Sequence, residues 1–367
     1  MVERGASDLH LIVGSCPVLR IDGDLIPQDD FPVLSGLDTQ AAFQQLASKE
    51  HQAYFQREHE LDFDYSYHGV ARFRVNVLQQ RGTISVAVRL VPFKIPSIDD
   101  LGLPQICKQL MHKPRGLILV TGAAGCGKST TLAAMVDYLN ETLPRNVIMI
   151  EDPIEYTFQN KRCIIHQRDL GNDTSSFSSA LIHGLRHDPD VIVIGEMRDL
   201  ETISTAIRAA ETGHLIIGTL HTNDAPQSLD RLVDIFPAGQ QRQVRLQLSQ
   251  VIEAVLSQRL IPRVGGGRVA AFEIMICSKI IMQLIREEKI FEITDHMEHA
   301  GPEGSQTMDR ALANLVLDGV ITHENALLKC TRPESLNRFI LGSRHQSQQM
   351  PKIEAPRELL PQRIVWD

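Results

Sequence analysis

The chemistry of this chain is densest in nine residues, Gly122-Ala-Ala-Gly-Cys-Gly-Lys-Ser-Thr130. They fit the pattern G-x-x-x-x-G-K-S and follow a short apolar run, Leu117 to Val120. Gly122, Gly125 and Gly127 let the backbone turn tightly and aim its N–H groups at phosphate oxygens. Ala124, Cys126 and Thr130 complete the loop. Lys128 would reach the β- and γ-phosphates of ATP, and the Ser129 hydroxyl would bind Mg²⁺. A helical pattern follows at once (Leu132, Met135, Val136, Leu139), and the positive end of that helix adds to the attraction. Backbone N–H groups and Lys128 are expected to lower the thiol pKa of Cys126, and modification there would block nucleotide binding sterically. The plain alternative, a small residue that fits, stands beside it.

Two acidic clusters follow. In VIMIEDPIE (147–155) an apolar run delivers Glu151, Asp152 and Glu155. ATP hydrolysis needs a carboxylate to orient or deprotonate a water opposite the leaving group, a contribution of about 10²–10⁴-fold. An acid-rich helix start would look similar. In LRHDPDVIVIGEMRD (185–199) the run Val191–Ile194 ends in Gly195-Glu196. An acid there would hold Mg²⁺ through water or polarise the attacking water. His214 and His221 bracket a third apolar run in TGHLIIGTLHT (212–222). Seven residues along a strand put their side chains on opposite faces, so a metal pair is disfavoured and phosphate sensing fits better.

Several elements must position these groups. Strands are expected at 116–121, 147–151, 191–195 and 215–220, each apolar on both faces and separated by helical segments, which argues for a parallel sheet covered by helices. The first ninety residues read instead as a small α+β domain on an antiparallel sheet. Two short strands fall within 7–27, one over Leu9 to Val13 and one carrying Val18, Leu19 and Ile21 that leads into an Asp22-Gly23 turn, and a helical pattern covers 37–58. Alternation then places Leu61, Phe63, Tyr65 and Tyr67 on one face, followed after His68-Gly69 by Ala71, Phe73, Val75 and Val77, and next by Ile84, Val86, Val88 and Leu90. Arg72, Arg74 and Arg89 take the opposite face, with Arg81 in the connecting turn. A solvated basic face is the plain reading, and phosphates of a neighbouring molecule the functional one. The segment 92–104, with three prolines, reads as a linker. Residues 227–340 read as mostly helical, and the polar segment 342–367 as a flexible tail in which Trp366 is a minor candidate anchor. No internal repeat is apparent.

Composition narrows the class. The 367 residues suffice for two domains, and 43% hydrophobic content supports a core. No run approaches the apolar length of a membrane span, and the start lacks the apolar core of a signal peptide, so a cytosolic protein is expected. A net charge of −8 argues against nucleic acid as the main partner. Cys16, Cys107, Cys126, Cys163, Cys277 and Cys330 show no C-x-x-C pair, so reduced thiols are expected rather than zinc or disulfides.

The set GAAGCGKST, IEDPIE, LRHDPDVIVIGEMRD and TGHLIIGTLHT, in this order and spacing, resembles the secretion ATPase superfamily of type II secretion and type IV pili. The likeness runs from about residue 5 to 340 and is strongest to the pilus-retraction branch. It implies an α/β fold: a PAS-like α+β N-terminal domain (1–91), a linker (92–104), a RecA-like P-loop core with C-terminal helices (105–341) and a tail (342–367), assembled as a homohexameric ring. It implies that Lys128 and Ser129 bind ATP and Mg²⁺, that Glu155 is the catalytic base, that Glu196 is the metal-site acid, and that His214 and His221 form a histidine box. Arg74 and Arg89, with Arg81 a weaker third, would reach the nucleotide from the N-terminal domain. ATP would bind between domains and be completed by mobile N-terminal domains or neighbours. The implied partners are an inner-membrane pilus platform protein and a paralogous retraction ATPase, with the ring docked peripherally on the cytoplasmic side.

Retraction is favoured because assembly and secretion members usually carry a longer N-terminal extension and often a tetracysteine insert. Pilus assembly or secretion is the alternative. A DNA-translocating hexamer or a ring with negligible hydrolysis ranks lower. Against the retraction branch's AIRNLIRE, residues 280–287 match only at Ile281 and the closing LIRE. Relatives also have a further helical turn or two before Val2, which leaves a longer native start or a dispensable first helix as readings.

Overall fold

A computed structural model describes residues 1–21, 23–67, 71–91, 95–299 and 304–347. The chain divides into two compact units. One takes Met1–Lys94 with Glu155–Thr157, and the other takes Ile95–Ile154 and the chain described from Phe158 on.

Period-two alternation builds the first unit. Strands β1 (Asp8–Leu11), β2 (Val18–Ile21) and β3 (Asp24–Pro27) precede helices α1 (Gly36–Leu46) and α2 (Lys49–Glu58), and then come β4 (Glu60–Tyr67), β5 (Ala71–Gln80) and β6 (Thr83–Val91). They form an antiparallel sheet in the order β3-β2-β1-β6-β5-β4. Phe63, Val75, Val77, Val86 and Val88 turn inward and pack with Phe43 of α1 and Phe55 of α2. The helical pattern over 37–58 is cut in two because the Ser48 hydroxyl accepts the His51 N–H at 3.1 Å and caps a second helix. Residues 7–27 form three strands rather than two, since 24–27 pairs back on β2. Asp22, His68 and Gly69 lie outside the described residues.

The second unit is a sheet between layers of helices. Its elements are α3 (Ile106–Met111), β7 (Gly116–Thr121), α4 (Lys128–Thr142), β8 (Asn146–Glu151), β9 (Ile164–Asp169), α5 (Phe177–Gly184), β10 (Val191–Ile194), α6 (Leu200–Glu211), β11 (Leu215–Leu220), α7 (Ala225–Asp234), α8 (Ala238–Val251), β12 (Ile252–Pro262), β13 (Arg268–Ile276), α9 (Lys279–Arg286), α10 (Ile293–His299), α11 (Met308–Leu317), α12 (His323–Leu327) and α13 (Pro333–Ser347). The strand order is β13-β12-β7-β11-β10-β8-β9, parallel except for the β12–β13 hairpin. The apolar runs are continuous because successive residues serve opposite cores. Leu117, Leu119, Ile192, Ile194 and Ile216 pack on one face, and Ile118, Val120, Val191, Val193 and Ile217 on the other. A third core joins Ile261 and Ala271 of the hairpin to Leu312, Leu336 and Ile340.

Two expectations need correction and one an addition. Residues 227–340 are mostly helical, as expected, but they also contain β12 and β13, which pair over nine registered positions and extend the sheet beyond β7. The part of the expected linker that is described, 95–104, is packed: Ile98, Leu101 and Leu103 are buried in the core with α3 and α4. The expected tail begins inside α13, which runs on to Ser347, and Trp366 lies outside the described residues.

Glu273 of β13 is almost wholly buried, at 4% exposed, and its Oε1 accepts the Ala225 N–H at 2.8 Å. Burial pushes its pKa up to about 7, from an ordinary 4.5, against the pull of backbone donors at Ala225 and Met308. Asp224 adds to the rise and Arg259 opposes it. The folded state then holds this proton where the unfolded chain has lost it. The associated stability is full below the unfolded value and disappears as pH rises through about 7. Urea unfolding of the wild type is therefore expected to lose up to about 1.4 kcal/mol per pH unit between roughly pH 5 and 7. Glu273→Gln keeps the acceptor and should flatten that slope. An equal slope in both proteins would show that Glu273 is not its source.

Candidate active site

The loop after β7 is shaped by close approach to β12. Gly122 has φ 143°, and a Cβ there would lie 2.5 Å from the Gln258 carbonyl oxygen and 2.6 Å from Cys126 Sγ. Glycine is the residue that fits. The loop then runs through Ala124, Gly125 and Cys126 to Gly127, the N-cap of α4, so Lys128, Ser129 and Thr130 form that helix's first turn. Its leading N–H groups have no partner within the helix, which makes the turn an anion site. Lys128 Nζ donates to the carbonyls of Gly122 (2.7 Å) and Ala123 (3.1 Å), which holds the ammonium over the loop. Burial pushes the Cys126 thiol up, and Lys128 and nearby backbone donors do not reverse it. The expected lowering is thus corrected: the thiol is tucked toward the sheet, at 6% exposed.

The acids collect at the same edge. β7, β8, β10 and β11 are parallel, so their C-terminal ends place the phosphate loop, Glu151, Glu196 and His221 along one side of the sheet. Gly195 allows the end of β10 to touch that of β8, since a Cβ there would meet the Ile150 carbonyl oxygen at 2.9 Å. Glu196 receives His221 Nε2 at 3.1 Å and an ion pair from Arg198. Burial raises its pKa, but Arg198 and His221 outweigh that and keep the carboxyl below its ordinary range. Glu151 accepts from Gln167 Nε2 at 3.0 Å, so this acid is tied into β9. Glu155 follows the β8 end in an exposed loop position.

His214 does not join His221. It precedes β11, at the strand end opposite the phosphate loop, where its carbonyl accepts the Gly116 N–H and its Nδ1 lies 3.0 Å from the Ala209 carbonyl. A whole strand separates the two histidines, so His214 closes the end of α6 instead.

In the first unit Arg74 and Arg89 stand directly opposite each other on β5 and β6, a costly placement of like charges. Arg89 is drawn to the buried Asp8 at 2.7 Å and Arg72 to Asp64 at 2.8 Å, while Arg74 forms no ion pair among the described residues. Arg81 sits in the turn between the strands, away from this pair.

Sequence reasoning missed Gln258. Its side chain is 1% exposed, donates to the Cys126 carbonyl at 2.7 Å and accepts from the Thr131 hydroxyl at 2.7 Å. Beside it, Thr121 donates to Ser257 at 2.9 Å. The available signal was a polar trio, Ser257-Gln258-Arg259, inside an otherwise apolar run.

The arrangement can hold a polyphosphate on the loop amides and Lys128, with an ionised carboxylate nearby for a cation or a water. Known proteins are similar to this chain along most of its length. The Type II/IV secretion system protein family matches residues 61–266. The type IV pilus retraction ATPase PilT of Pseudomonas aeruginosa is 46% identical over 91% of this chain and 96% of its own length. The type IV pilus ATPase PilU of the same organism is 40% identical over 94% of this chain and 90% of its own. A crystal structure of the pilus retraction motor PilT with bound ADP superposes with a TM-score of 0.87, at 48% identity, over 92% of this chain and 96% of that one. Strand-end acids, phosphate loop and likeness along nearly the whole length agree: the chain belongs to the Type II/IV secretion system protein family.

Proposed function

We propose that the chain hydrolyses ATP to ADP and phosphate with Mg²⁺ and, as a homohexameric ring, powers retraction of type IV pili. The observation that carries this reading is an intact site, Lys128 over the phosphate loop and Glu196 fixed by His221, in a chain 46% identical to a pilus retraction ATPase over 91% of its length. Lys128 and the first amides of α4 bind and neutralise the phosphates. Glu155 takes the proton of the attacking water, which ends on phosphate. Glu196 and His221 hold water or the γ-phosphate in line.

The donors fit Mg²⁺. Ser129 and the ionised Glu196 offer oxygen, and no cluster of three or more His, Cys, Asp or Glu suited to a metal occurs among the described residues. Few protein oxygens, with phosphates and water making up the rest, is how this ion is usually held. When bound, it would neutralise charge that develops on the phosphate oxygens.

Arg74 and Arg89, with Arg81 a weaker third, are the arginines we assign to the nucleotide. An arginine so supplied contributes roughly 10³–10⁵-fold in P-loop enzymes. The first unit is read as a PAS-like domain and the second as RecA-like, and the units are proposed to rotate against each other during the ATP cycle. The proposed partner is a platform protein at the inner-membrane base of the pilus, approached from the cytoplasm, with a paralogous retraction ATPase as a second partner. Among the described residues no helix is long and apolar enough to cross a membrane.

Two outcomes test the reading. Purified Glu155→Ala should keep ATP affinity while turnover falls by about 10²–10⁴-fold. Full turnover in a folded ring would remove Glu155 from the mechanism. In cells, the same substitution or loss of the gene should give more or longer surface pili and no twitching. Bald cells would mean that the motor assembles pili instead.

A further inference from the structure

We propose that Gln258 is a positioning residue for the phosphate loop: it turns the Cys126–Gly127 peptide so that the Gly127 N–H faces the nucleotide's phosphates. This deepens the ATP-binding reading above and rests on it.

The Cys126–Gly127 bond is trans. In a trans peptide the C=O and the following N–H point in opposite directions. Gln258 Nε2 draws the Cys126 carbonyl toward β12 at 2.7 Å. The Gly127 N–H must therefore point away from β12. Gly127 is the N-cap of α4, and its φ of 89° makes it the joint at which loop becomes helix.

The amide itself is held in one orientation. Only Nε2 can donate to a carbonyl, and Oε1 is left to accept from the Thr131 hydroxyl at 2.7 Å. Thr131 lies in α4, so one side chain ties the tip of the loop to the start of its helix. The backbone of Gln258 supports the same loop from the other end, because Gly122 rests against its carbonyl oxygen. Gln258 and Thr131 are shut from solvent, at 1% and 0% exposed, so water is poorly placed to replace either bond.

A side chain that only filled space here would tolerate methionine of similar length. One that aims a peptide would not. Gln258→Glu is the sharper change, since it keeps the shape but sets an acceptor against the Cys126 carbonyl.

The test is titration of the full-length protein with ADP, alongside KM and kcat for ATP and the melting temperature without nucleotide. The proteins compared are wild type, Gln258→Met, Gln258→Glu, Thr131→Val and the Gln258→Met/Thr131→Val pair. Both Gln258 variants are expected to raise the ADP Kd and the ATP KM about ten- to a hundredfold, the scale of a hydrogen bond to a charged group. Saturated kcat should fall much less. Thr131→Val should raise Kd in the same direction by a smaller factor, and the pair should do no worse than Gln258→Met alone. An ADP Kd within about twofold of wild type in folded Gln258→Met, whatever its melting temperature, would overturn the proposal and leave the amide a support of the fold. Should the Gln258 variants fail to fold, an unchanged Kd in Thr131→Val would overturn it and a raised one would uphold it. If wild-type protein binds neither ADP nor ATP, the ATP-binding reading itself falls, an outcome distinct from either.

Discussion

A parallel sheet covered on both faces has nowhere to put chemistry except the ends of its strands. Every strand side chain of β7, β10 and β11 is buried, so these strands contribute packing and direction only. Function is left to the loops that leave their C-terminal ends, the usual place for ligands in open α/β sheets. The phosphate loop, Glu196 and His221 share one edge because their strands run the same way. No long-range steering of individual side chains is needed. The order of strands also spaces the charges: β11 lies between the strand of the phosphate loop and the strand of Glu196. The end of β11 therefore comes between lysine and acid, and no ion pair joins Lys128 to Glu196 among the described residues.

Electrostatics then sharpens what topology supplies. Glu196 is half sheltered, and burial alone would favour its protonated form. Arg198 and His221 reverse that, so the carboxylate is ionised at neutral pH. The arginine pair on β5 and β6 shows the opposite economy. Like charges set face to face on a sheet are unfavourable by a few tenths to about 1 kcal/mol, and Asp8 compensates only one of the two. A surface of this kind gains by meeting an anion.

Much of this was legible in the residues. Continuous apolar runs marked β7, β8, β10 and β11, because a strand buried on both faces shows no alternation. The loop and strand-end acids followed from the punctuation after those runs. The hairpin escaped because Ser257, Gln258, Arg259 and Glu273 make β12 and β13 look like helix surface, and their polar groups make sense only with partners far along the chain. The histidine spacing correctly placed a strand between His214 and His221, and that strand keeps the two from forming one box. Proline content suggested a linker at 92–104, yet its described part folds into hydrogen-bonded turns that bury Ile98, Leu101 and Leu103.

Three consecutive residues of β12 face three different clients. Ser257 bonds to β7 through Thr121, Gln258 holds the phosphate loop, and Arg259 reaches the carbonyls of Lys329 beyond α12 and of Asn223 beside His221. Each works in a different register of the same extended backbone. A one-residue slip of this strand would reassign all three at once. The hairpin therefore behaves as an indexing key: the loop that grips phosphate, the loop that carries the histidine and the C-terminal helices are all referenced to one short stretch of chain. An insertion or deletion there would be felt in all three places together, whereas the glycine turn at its tip, Gly265–Gly267, is where extra length could be accommodated.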